Sequence, residues 1–357
     1  MNFVYALTTA FLFLMLTSCT DENTSAADTV PGERPAYAIA LHGGAGVISR
    51  DIDPDVKQEY VDSLEEALEL GRAMLHDGAE ALDVVEEVVR LLEDNPLFNA
   101  GRGAVMTNAE TFELDASIMD GRTLATGAVA GVTTVKNPIS LARMVMENSR
   151  HVLFAAEGAE RFADQMEVER VDPSWFYTER RHQQLIRARE RDEVTLDHDE
   201  SQQSFNPHQD IDDQKYGTVG VAVLDQNGNL AAGTSTGGMT NKRFGRVGDS
   251  PIAGAGTYAN NETCAISSTG TGEEFIRHAV AFHICAIMEY TNASLNEAAS
   301  IVIHEKLQQG DGGIIGVSHT GEIAMVFNSR GMFRAAADAS GRFEVAIWDE
   351  NEIEGRQ

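Results

Sequence analysis

The segment Lys215-Tyr216-Gly217-Thr218-Val219-Gly220 sets a threonine at the start of an apolar strand, directly behind a glycine and a long polar stretch. A threonine at the first position of a strand is by default only a β-former. Its setting points further. Glycine before it permits the strained backbone a hydroxyl needs to attack the preceding carbonyl. The β-methyl restricts the threonine rotamers, so Oγ can be held in line. If the Gly217–Thr218 bond breaks, Thr218 becomes a new N-terminus, and its α-amine has a reference pKa of about 7.7–8.0. Such an amine is a usable base near neutrality, so one residue supplies both nucleophile and base. In the uncut chain that amine is tied in a peptide, so activity depends on the cut.

Other groups could complete this chemistry. An Asn-Gly turn signal at Gln226-Asn227-Gly228-Asn229 predicts a hairpin of 218–225 with 230–236. Pairing Asp225 with Leu230 sets Thr218 opposite Gly237, one register step from the Thr236 hydroxyl. Thr234-Ser235-Thr236 could equally be a plain strand end of small polar residues. Arg246 and Asp249 lie in a glycine-punctuated loop. Arginine can grip a carboxylate bidentately and aspartate can pair with an ammonium, which together would recognise an α-amino acid headgroup. Without a site around them they would read as a surface ion pair. Thr269-Gly270-Thr271-Gly272 joins a strand to a helix beginning with Glu273 and Glu274. Its hydroxyl and backbone N–H groups suit an oxyanion hole, or merely a capped helix start. It lacks the Gly-Lys-Ser/Thr ending of a phosphate loop, and His42-Gly43-Gly44-Ala45-Gly46 is not a dinucleotide-binding pattern. His42 reads as structural, having no Ser or Cys partner in any local motif.

The elements that position these residues follow from periodicity. A strand over 36–41 runs into a glycine-rich turn. Helices are predicted over 55–76 and 80–93, with apolar residues at helical spacing. A hairpin covers 112–134, and helices follow over 138–148 and 155–166. From 167 to 217 the pattern fails: this polar stretch reads as a mobile linker that a cut releases. Beyond it come the 218–236 hairpin, a strand over 263–268, helices over 273–290 and 295–307, and a hairpin of 314–318 with 323–327. Helices and hairpins in both halves predict an α+β chain with antiparallel sheets between helical layers.

The 357 residues suffice for a substantial core, and 43% hydrophobic with 23% charged residues is an ordinary globular composition. With 27 Lys plus Arg against 56 Asp plus Glu, the net charge of -29 excludes a phosphate backbone as partner. Phe3 to Leu16 is an apolar run, shorter than the roughly 20 residues of a membrane-spanning helix. Leu16-Thr17-Ser18-Cys19 after it resembles a lipobox. On this reading 1–18 are a signal peptide, Cys19 carries lipid, 19–35 form a flexible tether, and the protein is exported to the periplasm or cell envelope, with the lipid its sole membrane contact. Met1-Asn2-Phe3 departs from that pattern in lacking Lys or Arg. Cys264 and Cys285 read as buried apolar residues without a bridge.

The segments HGGAG (42–46), NPLFNAGRGAV (95–105), ELDASIMDG (113–121), GTVG (217–220), TSTGGMTNKRFGRVGDSPIAGAGTYA (234–259) and STGTGEEFIR (268–277) together resemble the plant-type L-asparaginase/isoaspartyl peptidase family of Ntn-hydrolases. The resemblance runs from about residue 36 to about 334. It implies a four-layer αββα sandwich cut into an α subunit (36–217) and a β subunit (218–357), with a dimer of such pairs as the mature form. It implies Thr218 as nucleophile, Thr236 as its support, and Thr269 with Gly270 as the oxyanion hole. Arg246 and Asp249 would bind the substrate's α-carboxylate and α-amine, with Gly272 and Asn99 lining the pocket. No cofactor is expected for catalysis. Backbone carbonyls of Leu92, Glu93, Asn95, Phe98, Ala100 and Arg102 would hold a structural sodium, although Arg102 stands where an apolar residue is usual.

The expected reaction is hydrolysis of β-aspartyl dipeptides and L-asparagine, releasing L-aspartate. Two alternatives stand beside it. A glycosylasparaginase would use the same chemistry on glycosylated asparagine, but such relatives usually carry Asp before the nucleophile, where this chain has Gly217. A lipid-tethered, non-catalytic amino acid binding protein would keep the headgroup site and remain uncut.

Overall fold

In a computed structural model the described residues are 34–190 and 217–349, and their strands sort side chains onto two faces of contrasting size. The strands are β1 (Ala38–Gly46), β2 (Leu114–Asp120), β3 (Thr126–Val132), β4 (Leu153–Ala155), β5 (Val219–Leu224), β6 (Leu230–Thr236), β7 (Thr257–Ala259), β8 (Cys264–Gly270), β9 (Gly312–Ser318), β10 (Ile323–Phe327), β11 (Gly331–Asp338) and β12 (Phe343–Ala346). They form one sheet in the order β12-β11-β1-β5-β6-β2-β3-β4 and a second in the order β10-β9-β8-β7. The pairs are antiparallel except β3 with β4. The helices are α1 (Pro54–His76), α2 (Ala81–Asp94), α3 (Pro138–Asn148), α4 (Ala156–Gln165), α5 (Glu179–Glu190), α6 (Gly272–His278), α7 (Val280–Thr291) and α8 (Leu295–Ser300), the last continuing more widely wound through Lys306. The chain is α+β.

Successive side chains of a strand point to opposite faces. In β1, Ile39 and Leu41 pack with Val219, Val221 and Val223 of β5 against Tyr60 and Leu64 of α1 and Val85 and Val88 of α2. The opposite face carries Ala38, Ala40, Ala222, Ala232 and Ala336, packed with Ala265, Ile315 and Val317 of the smaller sheet. Small residues there let two sheets approach closely. The smaller sheet's other face, with Cys264, Ile266, Ile314 and Ala324, is covered by Phe275, Ile284, Leu295 and Val302. Burying a side chain of this size contributes about 1.5–3 kcal/mol, and helix α1 adds an Asp53 cap on the N–H groups of Asp55 and Val56.

Several expectations change. The glycines 43–46 continue β1 with a register shift between His42 and Gly44, instead of turning. Strand β11, from the far end of the chain, pairs with Gly44, Ala45 and Gly46, which a local reading cannot foresee. The segment from 167 contains α5, whose buried face is Arg181, Gln184, Leu185 and Ala188. Arg181 donates to the Gly103 carbonyl and to Gln184, and Gln184 donates to Thr240. A helix that buries satisfied polar groups has no apolar stripe to find. The remainder of the expected linker, 191–216, lies outside the described residues. The helix expected over 273–290 breaks at Ala279, which adopts a left-handed φ of 46°. Cys264 and Cys285 are not separate thiols: they form a disulfide joining β8 to α7. Strands β4, β7, β11 and β12 went unforeseen, yet β11 pairs with β1 along the full length of that strand.

Candidate active site

The inter-sheet face becomes polar toward one end. Along β5 it runs Leu224, Ala222, Gly220 and then Thr218. Along β6 it runs Leu230, Ala232, Thr234, Thr236; along β8, Ala265, Ser267, Thr269. Three threonines thus reach one cavity from three strands, and Thr218, Thr236 and Thr269 all line it. The hairpin register is Leu224 with Leu230 and Val219 with Ser235, which sets Thr218 opposite Thr236 rather than Gly237. The turn explains the shift. Asp225 N–H donates to the Asn229 carbonyl, so Asp225 faces Asn229 rather than Leu230, and its carboxylate accepts from Asn227, Asn229 and Ala81, which fixes the turn.

Thr218 Oγ1 donates to Thr236 Oγ1 across 3.0 Å, and Thr236 Oγ1 also accepts from Gly238 N–H at 3.0 Å. The carbonyl of Gly217 accepts from Asn99 N–H at 3.2 Å, while the Asn99 carbonyl accepts from Gly237 N–H. The Asn99 side chain donates to the Gly238 carbonyl and accepts from Val105 N–H, so it ties the Gly217 and Gly237-Gly238 backbones together. Gly44, at φ 111°, presses against Gly217: a Cβ there would lie 2.3 Å from the Gly217 nitrogen. Thr269 Oγ1 accepts from Ala45 N–H at 3.3 Å, leaving its own O–H to donate elsewhere. Gly270 has φ 146°, and a Cβ there would meet the Asp311 carbonyl at 2.0 Å.

Arg246 and Asp249 line the same cavity. They are not a simple ion pair. Nε and Nη2 of Arg246 make a bidentate bond to Glu273 at 2.9 and 2.8 Å. Asp249 is buried with Oδ2 unpartnered, and burial pushes its carboxyl up to about 7 against the pull of Arg246. A buried carboxylate lacking a partner is suited to an incoming cation. Gly272 stands behind both: a Cβ there would come within 2.8 Å of Arg246 Nη2 and 2.9 Å of Asp249 Oδ1. Asp311 also lines the cavity and escaped the sequence reading; burial raises its carboxyl.

The loop expected to hold an ion follows α2. The Glu93 carbonyl crowds Gly101, and those of Pro96 and Phe98 crowd Gly103, where a Cβ would meet them at 2.1 to 2.6 Å. Leu92 and Ala100 carbonyls accept from Asn95 and Gly103 N–H groups, each with a second lone pair remaining. The Arg102 guanidinium lies over Trp175 at 4.8 Å, leaving its carbonyl as the group to be offered. Among the described residues no His, Cys, Asp and Glu cluster could hold a metal. Backbone carbonyl oxygens are the donor chemistry that would fit a hard cation.

A threonine hydroxyl pair and a glycine-lined strand end thus share one cavity with a guanidinium and a buried carboxyl unpartnered at Oδ2. The chain belongs to the asparaginase family, whose sequence pattern matches residues 35–347. It is 53% identical over 317 residues to the isoaspartyl peptidase of Escherichia coli, covering 87% of this chain and 96% of that one. It is 52% identical to the isoaspartyl peptidase of Salmonella typhimurium over 87% and 98% of the two chains. The human isoaspartyl peptidase/L-asparaginase is 40% identical over 84% and 92%. No cofactor is needed for catalysis in this family.

These matches correct the assignment of a signal peptide, a lipidated Cys19 and export. The family match begins at residue 35, and the relatives matched over nearly their full length give the lipoprotein reading no counterpart. Among the described residues no helix is long and apolar enough to cross a membrane. Phe3 to Leu16 and Cys19 lie outside the described residues. That reading rested on a short apolar run without the basic residues that normally precede it, and it is withdrawn.

Proposed function

We propose that the chain hydrolyses β-aspartyl (isoaspartyl) dipeptides and L-asparagine, releasing L-aspartate, after cutting itself between Gly217 and Thr218. The observation that carries this reading is Thr218 Oγ1 held 3.0 Å from Thr236 Oγ1, with the Gly217 carbonyl fixed by Asn99. In the uncut chain the Thr218 hydroxyl attacks the Gly217 carbonyl and the peptide C–N bond breaks, which frees the Thr218 amine and leaves an ester on Oγ. Water then hydrolyses that ester, releasing the Gly217 carboxylate and the Thr218 hydroxyl. In the mature enzyme that amine takes the hydroxyl proton as Oγ attacks the substrate's side-chain amide carbon. The hydroxyl of Thr269 and the N–H of Gly270 stabilise the oxyanion. The leaving amine departs with the proton, and water, activated by the same amine, releases aspartate from the acyl-enzyme. Arg246 holds the substrate α-carboxylate and Asp249 its ammonium, with Gly272 keeping room for both and Asn99 fixing the pocket floor.

On this reading the two sheets and flanking helices form the four αββα layers. Strands from before and after the cut interleave in the larger sheet, so the α and β subunits stay together after cleavage, and two such pairs assemble as a dimer. The carbonyls of Leu92, Glu93, Asn95, Phe98, Ala100 and Arg102 hold a structural sodium. Intact mass of the purified full-length chain beside Thr218→Ala tests the proposal. Expected are two fragments from the first, one beginning at Thr218, a single inactive chain from the second, and turnover of β-aspartyl-leucine by the first alone. An uncut wild-type chain, or a cut chain with no turnover, would refute it.

A further inference from the structure

We infer that His42 is a positioning residue for Thr218, holding the Thr218 carbonyl through Nδ1–H while the buried hydroxyl of Ser267 seats the ring at Nε2. The inference rests on the reading of Thr218 as nucleophile and extends it to a side chain with no part in that chemistry. His42 is fully buried on the inter-sheet face of β1, in the same alternation as Ala38 and Ala40. Its Nδ1 lies 2.9 Å from the Thr218 carbonyl and its Nε2 lies 2.9 Å from Ser267 Oγ.

The proton order follows by elimination. A carbonyl only accepts, so Nδ1 carries the hydrogen. Burial lowers the imidazole pKa to about 3, against the opposing pull of the Thr218 carbonyl, so the ring is neutral and Nε2 is bare. Ser267 therefore donates to Nε2. With its one proton spent, Ser267 Oγ can only accept across the 2.6 Å contact with Thr234 Oγ1, whose hydrogen is shared between Ser267 and the Gly256 carbonyl at 3.1 Å. Thr257 donates to Thr234 at 2.6 Å and lies 2.8 Å from Ser117 Oγ. Ser117 donates to the carbonyl of Ser250, the neighbour of Asp249, at 2.6 Å. All four hydroxyl residues are buried. The Thr218 carbonyl at Nδ1 and the Ser267 hydroxyl at Nε2 are together met by one tautomer of His42, the one that holds Thr218.

Gly220 gives an independent sign that this contact is built in. A Cβ on Gly220 would fall 1.9 Å from Ser267 Oγ and 2.5 Å from His42 Nε2. The φ of Gly220 is not in the left-handed region, so the glycine supplies space rather than backbone freedom.

The test compares the full-length wild type with His42→Asn, His42→Gln and Ser267→Ala. An Asn amide offers an N–H near the place of Nδ1, and a Gln amide reaches the place of Nε2. Cleavage by intact mass, melting temperature, and kcat and KM on β-aspartyl-leucine per cut chain are measured for each. His42→Asn is expected to be cut and to keep kcat within about tenfold. His42→Gln is expected to stay uncut, or to lose about a hundredfold in kcat at unchanged KM, as misplacing a reacting group does. Equal losses in both variants, or losses that follow melting temperature, overturn the inference. If neither His42 variant folds, Ser267→Ala decides: kcat about tenfold lower at unchanged KM supports it, and unchanged kcat overturns it. An uncut wild type would strike the Thr218 reading itself, and this inference with it.

Discussion

Asp249 makes the pH dependence of substrate capture a direct test of the headgroup pocket. Its carboxyl is buried, unpartnered at Oδ2, and pushed up to about 7. Below that pH the free enzyme holds a neutral acid there, which cannot pair with a substrate ammonium. At about pH 5 roughly one site in a hundred is ionised, so kcat/KM falls about a hundredfold from this group alone. The Thr218 amine, with a reference pKa of about 7.7–8.0, adds a second proton to the same limb. The free enzyme governs kcat/KM, so its logarithm is expected to fall with a limiting slope of about two on the acid side. In the bound complex Asp249 is already paired, so kcat falls with a slope of about one. Asp249→Asn keeps the shape and removes the charge. It should cut kcat/KM at about pH 8.5 by roughly a hundredfold or more, since removing one partner of a buried pair costs about 3–5 kcal/mol. It should also reduce the kcat/KM slope to about one. The assay is steady-state hydrolysis of β-aspartyl-leucine and of L-asparagine from about pH 5 to 9 at constant ionic strength. A slope of two persisting in Asp249→Asn, or a flat wild-type profile below pH 7, would refute the assignment.

Three further outcomes are expected. Burial raises the Glu93 carboxyl to about 8, against hydrogen bonds from Ser235 and Ile139; the folded state keeps a proton that the unfolded chain releases near 4.5. Its contribution is therefore present below that pH and is lost by up to about 1.4 kcal/mol per unit as pH rises toward 8. Glu93→Gln should remove this slope, and melting curves of the two proteins that stay parallel from about pH 5 to 8 would count against it. Gly272→Ala places a methyl against Arg246 and Asp249, and should raise KM about tenfold or more while leaving kcat within about threefold; an unchanged KM would show that the pair lies outside the substrate's reach. The Cys264–Cys285 disulfide closes a separation of 21 residues, worth about 3 kcal/mol by loop-closure entropy. Replacing both cysteines by alanine should lower the melting temperature by several degrees and abolish its sensitivity to reductant, whereas equal melting with and without the pair would show that the bridge does not form.

Much of the site was legible because its signals are local. Thr218 and Thr236 belong to one hairpin, and the backbone freedom at Gly270 and the space at Gly272 are written in residue type. Arg246 and Asp249 sit three residues apart, so their nearness needed no tertiary knowledge, whereas the bond of Arg246 to Glu273 did. The helices α1, α2 and α3 announced themselves by apolar spacing, because each lays one stripe on a sheet. Helix α5 did not, because its inward face is arginine and glutamine satisfied by distant groups.

What the sequence by itself determined is the inventory of reacting groups and the alternation that aims them at one face. The tertiary structure decided how those groups meet. The Asp225 turn, locked partly by the distant N–H of Ala81, set the register that brings Thr236 onto Thr218. Strand β11, from the far end of the chain, closed the sheet around β1 and so fixed where His42 lies. The bonds of His42 to Thr218 and Ser267 span 176 and 225 residues. Contacts of that separation leave no local pattern of hydropathy or spacing, since one joins neighbouring strands of the larger sheet and the other crosses to the facing sheet.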